Sequence, residues 1–157
     1  MRTRTPLRVD HFALPVFDAA AIFRFYTDIM GLALVDALSG DDWGGKPWLM
    51  MIFSFSDGRQ IALVALRGAE RPADDGLPDD IRHFAFSVAS ARELNTWKRR
   101  LRAHHIHYRE EDHGVQRSIY FADPNGIILE VTTPSSEATI APSKAAAAVV
   151  RQWIEQR

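Results

Sequence analysis

The stretch His11-Phe12-Ala13-Leu14-Pro15-Val16 returns as His83-Phe84-Ala85-Phe86-Ser87-Val88, an offset of 72 positions in a chain of 157 residues. A motif of this size present twice marks two supersecondary modules and not a solenoid. The residues after each copy extend the match. Behind the first, Asp18 suits a helix cap, Ile22, Phe23, Tyr26, Ile29 and Met30 recur at helical spacing, and Gly31 stops the helix. Behind the second, Ser90-Ala91-Arg92-Glu93 reads as a capping box ahead of Leu94, Trp97 and Leu101.

Each module then continues as strands. In the first, apolar runs cover residues 32–37, 48–55 and 60–66, separated by Gly- and Asp-containing turns at 39–46 and 56–59. In the second they cover 106–109, 116–122 and 127–132, the last two joined by the tight turn Asp123-Pro124-Asn125-Gly126. The expected class is α+β, two βαβββ modules at 1–67 and 81–133. A Pro-, Gly- and Asp-rich linker at 68–80 separates them, and 134–157 holds a second linker and a terminal helix. Ser143 caps that helix, whose apolar stripe Ala146, Val149, Val150 and Trp153 is expected to pack on the body or on a partner.

Composition narrows the function. A formal charge of −1 argues against a nucleic-acid binder; Lys98, Arg99, Arg100 and Arg102 read as the solvated face of a helix. With no cysteine, disulfides and thiolate chemistry are excluded, so any metal must be held by nitrogen and oxygen. No apolar run is long enough to span a bilayer, and the basic amino-terminal residues lead into no apolar segment, which makes no membrane partner and a cytoplasmic location the expectation.

Side chains alternate across a strand, so parity sorts them by face. Phe12, Leu14 and Val16 are expected inside, with His11 opposite; Phe84, Phe86 and Val88 repeat this, with His83 opposite. In the closing hairpin Ile119, Phe121, Leu129 and Val131 read as core, leaving Ser118, Tyr120 and Glu130 on the other face. If that face curls into a cup, His11, His83 and Glu130 converge. Two imidazoles and a carboxylate suit Mn²⁺, Fe²⁺, Co²⁺, Ni²⁺ or Zn²⁺ and leave coordination positions open. His104, His105 and His107 fall at a helix end, where imidazoles meet free carbonyls.

The hairpin from Ser118 to Glu130, together with Asp10-His11 and Arg82-His83, resembles the vicinal oxygen chelate superfamily over residues 8–133. That superfamily includes glyoxalase I, fosfomycin- and bleomycin-resistance proteins and type I extradiol dioxygenases. The resemblance implies a cupped mixed sheet around a divalent metal held by His11, His83 and Glu130. It also implies Tyr120 as a hydrogen-bond donor to a metal-bound substrate oxygen, His113 as a second catalytic candidate, and a homodimer of two-module chains. Where glyoxalases carry a fourth ligand, the best match is Ala62; Gln60 shares its parity. Trp43, Trp48, Phe53 and Phe55 are candidates for an aromatic wall, with parity favouring the core for the two phenylalanines.

Three functions remain open on the sequence. The first is an enzyme of the extradiol-dioxygenase kind, with Fe²⁺ or Mn²⁺ and a small substrate chelating through adjacent oxygens. The second is a metal-dependent epoxide-opening transferase or hydrolase of the fosfomycin-resistance kind, for which Arg109 and Arg117 are the nearest cations. The third is a metal-free, ligand-sequestering protein of the bleomycin-resistance kind.

Overall fold

A computed structural model describes residues 8–134 and 143–156. In chain order the elements are β1 (His11–Val16), α1 (Ala19–Arg24), a π-helical turn (Phe25–Ile29), β2 (Ala33–Gly40), β3 (Trp48–Ser54) and β4 (Gln60–Leu66). A 3₁₀ turn (Asp79–Ile81), β5 (His83–Ser87), α2 (Ala91–Ala103), β6 (Arg109–Asp112), β7 (Arg117–Ala122), β8 (Ile128–Thr132) and α3 (Lys144–Glu155) complete it. The two modules form two four-stranded sheets, ordered β1-β4-β3-β2 and β5-β8-β7-β6. In each, the first strand pairs in parallel with the last and the remaining pairs are antiparallel.

Local chemistry sets the helix ends. The Asp18 carboxylate accepts from Ala21 N at 2.9 Å. Ser90 Oγ accepts from Glu93 N, while the Glu93 carboxylate accepts from Ala89 N at 2.8 Å, one residue ahead of the cap, a shifted form of the capping box. Gly31 ends the first helical segment at φ +70°, and the Arg100 guanidinium donates to Ile29 O at 3.1 Å, covering a carbonyl that the helix end leaves free. The first helix is not α-helical throughout: its second half widens, with Met30 N bonded to Phe25 O. The face turned inward is Ile22, Phe25, Tyr26 and Met30, so Phe23, expected on the apolar stripe, is instead 42% exposed.

One core serves both modules. Phe121 of β7 lies 6.4 Å from Phe25 and 6.5 Å from Trp97, ring centre to ring centre, and Phe55 lies 5.2 Å from Phe86. Tyr26 and Asp123, both buried, are joined by a 3.1 Å hydrogen bond. Asn125 spans the modules, its Nδ2 donating to Pro15 O and its Oδ1 accepting from Phe17 N. Gly126, at φ +85°, closes the hairpin turn back to Asp123 O.

Three further expectations are corrected. Phe12 is 45% exposed rather than buried. Its strand is the edge of its sheet, and the ring packs instead on Phe84 of the other sheet's edge strand at 5.6 Å. The strand expected at 106–109 begins only at Arg109, because His104 and His105 turn the chain at the end of α2, His105 with φ 55°. The terminal helix forms, capped by Ser143, but packing on the body, one of its two expected placements, is not seen: it buries no residue within the chain, and Trp153 is 78% exposed. Most of the expected linker at 134–142 lies outside the described residues.

Candidate functional site

The register of the second sheet builds the site. Tyr120 pairs across from Glu130, Arg109 from Tyr120, Glu111 from Ser118, and Ala85 from Glu130. Because Leu129, Val131, Ile119 and Phe121 are turned into the core, these partners share the opposite face with His83. Glu130 is 7% exposed, whereas His83 is open to solvent.

His83 is held at both nitrogens. Nδ1 lies 2.7 Å from Asp80 O, and Nε2 lies 3.2 Å from Glu130 Oε2. A carbonyl only accepts, so Nδ1 carries the proton and the ring's tautomer is fixed. Both neighbours being acceptors, the space between Nε2 and the carboxylate calls for a cation, whether proton or metal ion. Metal–ligand bonds of about 2.1 Å, meeting at angles between octahedral and tetrahedral, put two donors roughly 3.0–3.4 Å apart. The pair therefore has the bite of two ligands on one ion.

Around this pair stand two further candidates. Tyr120 presents its hydroxyl 3.3 Å from His113 Nε2, and its ring meets His83 edge-on at 5.8 Å. Burial, with the Glu130 carboxylate beside it, pushes the Tyr120 phenol above its ordinary value, against opposing effects of Ser118 and the Arg109 guanidinium. The phenol thus keeps its proton at neutral pH. The loop at His113 reaches Tyr120 because β6 and β7 form a hairpin.

His11 is not part of this group. It opens β1 of the other sheet, with Nδ1 2.7 Å from Asp10 Oδ1, and no three His, Asp or Glu side chains gather in metal-binding geometry among the described residues. Within one chain His11, His83 and Glu130 do not gather into a three-ligand set among the described residues: His11 opens β1 of the first sheet, whereas His83 and Glu130 lie on β5 and β8 of the second. The first sheet explains the fourth-ligand question. Ala13 stands opposite Ala62 as Ala85 stands opposite Glu130, so Ala62 is the repeat's counterpart of the glutamate, while Gln60 pairs with His11 as Ile128 pairs with His83.

Sequence reasoning missed Asp80 and His107 as neighbours of the site. A cavity of about 500 Å³ beside Tyr120 is lined by Asp80, His107, Arg109 and Ile128 among others. Continuing the β6 parity back from Arg109 would have pointed to His107. Trp48 instead lines a hollow of about 700 Å³ at the far end of the first module, with Trp43 edge-on at 5.3 Å; Phe53 is buried in the core. The basic residues of α2 are engaged locally, Lys98 with Glu110, Arg99 with Thr96, Arg100 with Ile29 O, and Arg102 over Tyr108.

Comparison with known proteins agrees with this architecture. A glyoxylase/bleomycin resistance protein/dioxygenase domain from Frankia sp. EAN1pec superposes with a TM-score of 0.67 at 21% identity, over 85% of this chain and 96% of that one. The fosfomycin resistance protein FosX from Listeria monocytogenes, complexed with Mn(II) and sulfate, gives 0.62 at 20% identity, over 84% and 96%. Lactoylglutathione lyase from Agrobacterium tumefaciens gives 0.58 at 24% identity, over 83% and 96%. At these identities the likeness is one of fold. No curated protein sequence matches significantly. The sequence profile of the Glyoxalase/Bleomycin resistance protein/Dioxygenase superfamily matches residues 8–131, and with the paired βαβββ sheets it makes this chain a member of that superfamily.

Proposed function

We propose that the protein is a divalent-metal-dependent enzyme acting on a small substrate that chelates the metal through adjacent oxygens, extradiol-dioxygenase-like in chemistry. The observation that carries this reading is the His83–Glu130 pair at 3.2 Å with the proton-bearing Tyr120 on the same face. His83 and Glu130 of one chain and His11 of a second chain hold the ion in a homodimer. Two features support that arrangement: the three side chains do not meet within one chain, and β2 is exposed along nearly all its length, with Leu34, Val35 and Leu38 open to solvent. Bound there, Fe²⁺ or Mn²⁺ would supply Lewis acidity and open coordination positions. The chain's own contribution is to orient the imidazole through Asp80 O, and to donate the Tyr120 proton in a hydrogen bond to the substrate.

An epoxide-opening reaction on a phosphonate is less well supported. Such a substrate needs uncommitted cations, and the two nearest are already paired, Arg109 with Asp80 and Glu111, Arg117 with Asp112. Metal analysis of the purified protein, followed by oxygen uptake with a panel of catechols in the presence of Fe²⁺ or Mn²⁺, tests the reading. Metal binding with catechol-dependent oxygen consumption supports it. Purified protein that takes up neither ion returns the assignment to a metal-free binding protein.

A further inference from the structure

Arg109 makes three contacts around the site. Its Nη2 lies 2.9 Å from the Asp80 carboxylate, its Nη1 pairs with Glu111, and the guanidinium carbon sits 4.9 Å from the centre of the Tyr120 ring. Two carboxylates already offset its charge, so it is poorly suited to receive a substrate anion. Ordinary surface ion pairs add little to stability, and these residues are about half exposed. Stability therefore does not explain what the arrangement accomplishes.

Its partners do. Asp80 lies in the short 3₁₀ turn Asp79–Ile81, which is exposed throughout. The carbonyl of that same residue holds His83 Nδ1 at 2.7 Å. Arg109 thus ties the turn that fixes the imidazole to the strand that carries Tyr120, across the register pair Arg109–Tyr120. Apart from the Arg109 pair and the His83 bond itself, no side-chain hydrogen bond or ion pair joins the Asp80 turn to the second sheet among the described residues.

We infer that Arg109 is a positioning residue which, through Asp80, locks His83 in the tautomer and orientation that present Nε2 to a metal ion. The metal half of this inference rests on the proposed function above; the tautomer half does not. Outer partners of this kind typically govern about 10–100-fold in metal affinity. Through-space electrostatics predicts the opposite sign. A guanidinium repels a divalent cation, so removing it would tighten binding if charge alone mattered.

The test compares Arg109→Met, Arg109→Lys, Asp80→Ala and the double variant Arg109→Met/Asp80→Ala with the unaltered protein. Arg117→Met removes the same charge from a residue paired only with Asp112 and serves as the control. In the metal-free protein, proton NMR of ¹⁵N-labelled histidine should show the His83 Nδ1 proton as an exchange-protected resonance that Arg109→Met loses and Arg109→Lys partly restores. Co²⁺ titration should show about 10–100-fold weaker binding in Arg109→Met, with the double variant no worse than the weaker single one. Arg117→Met should leave both readouts unchanged. A retained resonance with Co²⁺ affinity unchanged or tighter in Arg109→Met would overturn the inference, as would equal loss in Arg117→Met. If the unaltered protein binds no Co²⁺, the metal reading fails and the NMR result alone decides the role of Arg109.

Discussion

Ala62 in the first sheet holds the register position that Glu130 holds in the second, each standing opposite the alanine two residues after its module's histidine. The repeat is therefore symmetric in backbone and asymmetric in chemistry. One half offers His11 beside Gln60 on a face otherwise lined by Ala13, Ala62 and Val64; the other offers His83, Glu130 and Tyr120.

Ala62→Glu should restore the missing carboxylate. Ala62 is only 5% exposed, so in the metal-free protein a carboxyl there has little water and should cost about 2–4 kcal/mol. With a metal ion present the same group becomes a ligand, and the thermal midpoint should recover while affinity rises tenfold or more. Melting curves with and without Mn²⁺ decide it. An equal loss in both would mean that this face never meets the ion.

Tyr120→Phe should keep fold and metal and lower turnover by about 10²-fold, the usual scale for a positioned proton donor. The phenol is half-buried on an inner strand of the sheet and its proton is held above the ordinary range by burial and by Glu130. The raised value keeps the donor form populated through neutral pH, so activity should not fall on that account until the medium is distinctly alkaline. Full turnover in the phenylalanine variant would reduce the residue to packing. Loss of metal would mean that the phenol oxygen is itself a ligand.

Much of this was legible in the chain. The 72-residue repeat and its two caps fixed the modules, and period-two parity correctly separated Ile119, Phe121, Leu129 and Val131 from Tyr120 and Glu130. Parity failed where the neighbour was not local. Phe12 alternates like a core residue, but its strand is an edge, which only the sheet order reveals. The same blindness hid Asp80, because its part in the site is a backbone carbonyl turned toward His83, and no side-chain pattern reports that. Convergence of His11 with His83 rests on strand faces, the repeat and the family resemblance, and none of these specifies how two sheets of one chain are set against each other.

Asp123→Asn should change how stability depends on pH. The carboxylate accepts from Asn125 N, Ile127 N and the Tyr26 hydroxyl, yet burial outweighs these contacts and raises its pKa above the ordinary 3.8. A carboxyl raised on folding binds its proton more tightly in the folded state. Its contribution is thus fully present below the ordinary value and is lost as pH climbs through the folded one. Asparagine keeps the acceptor for the two backbone N–H groups, and the Tyr26 hydroxyl can turn from donor to acceptor. Urea midpoints measured from acid to neutral pH should show the wild type losing ground to the variant as pH rises. A constant difference across that range would show that Asp123 titrates normally.

Mixing inactive variants tests the two-chain site most directly. If each site draws His11 from one protomer and His83 with Glu130 from the other, His11→Ala and Glu130→Ala homodimers both lack one ligand in every site. Each should lose tenfold or more in metal affinity, since even outer partners govern about that much. A heterodimer of the two is different: one of its sites combines His11 from the Glu130→Ala chain with His83 and Glu130 from the His11→Ala chain and is complete, while the other lacks both residues. Refolding or coexpressing the variants together should therefore recover up to one tight site per heterodimer, and activity with it. Light scattering must first show a dimer at micromolar concentration. A monomer there, or mixed variants no better than their parents, would place the three residues in separate roles and remove His11 from the site.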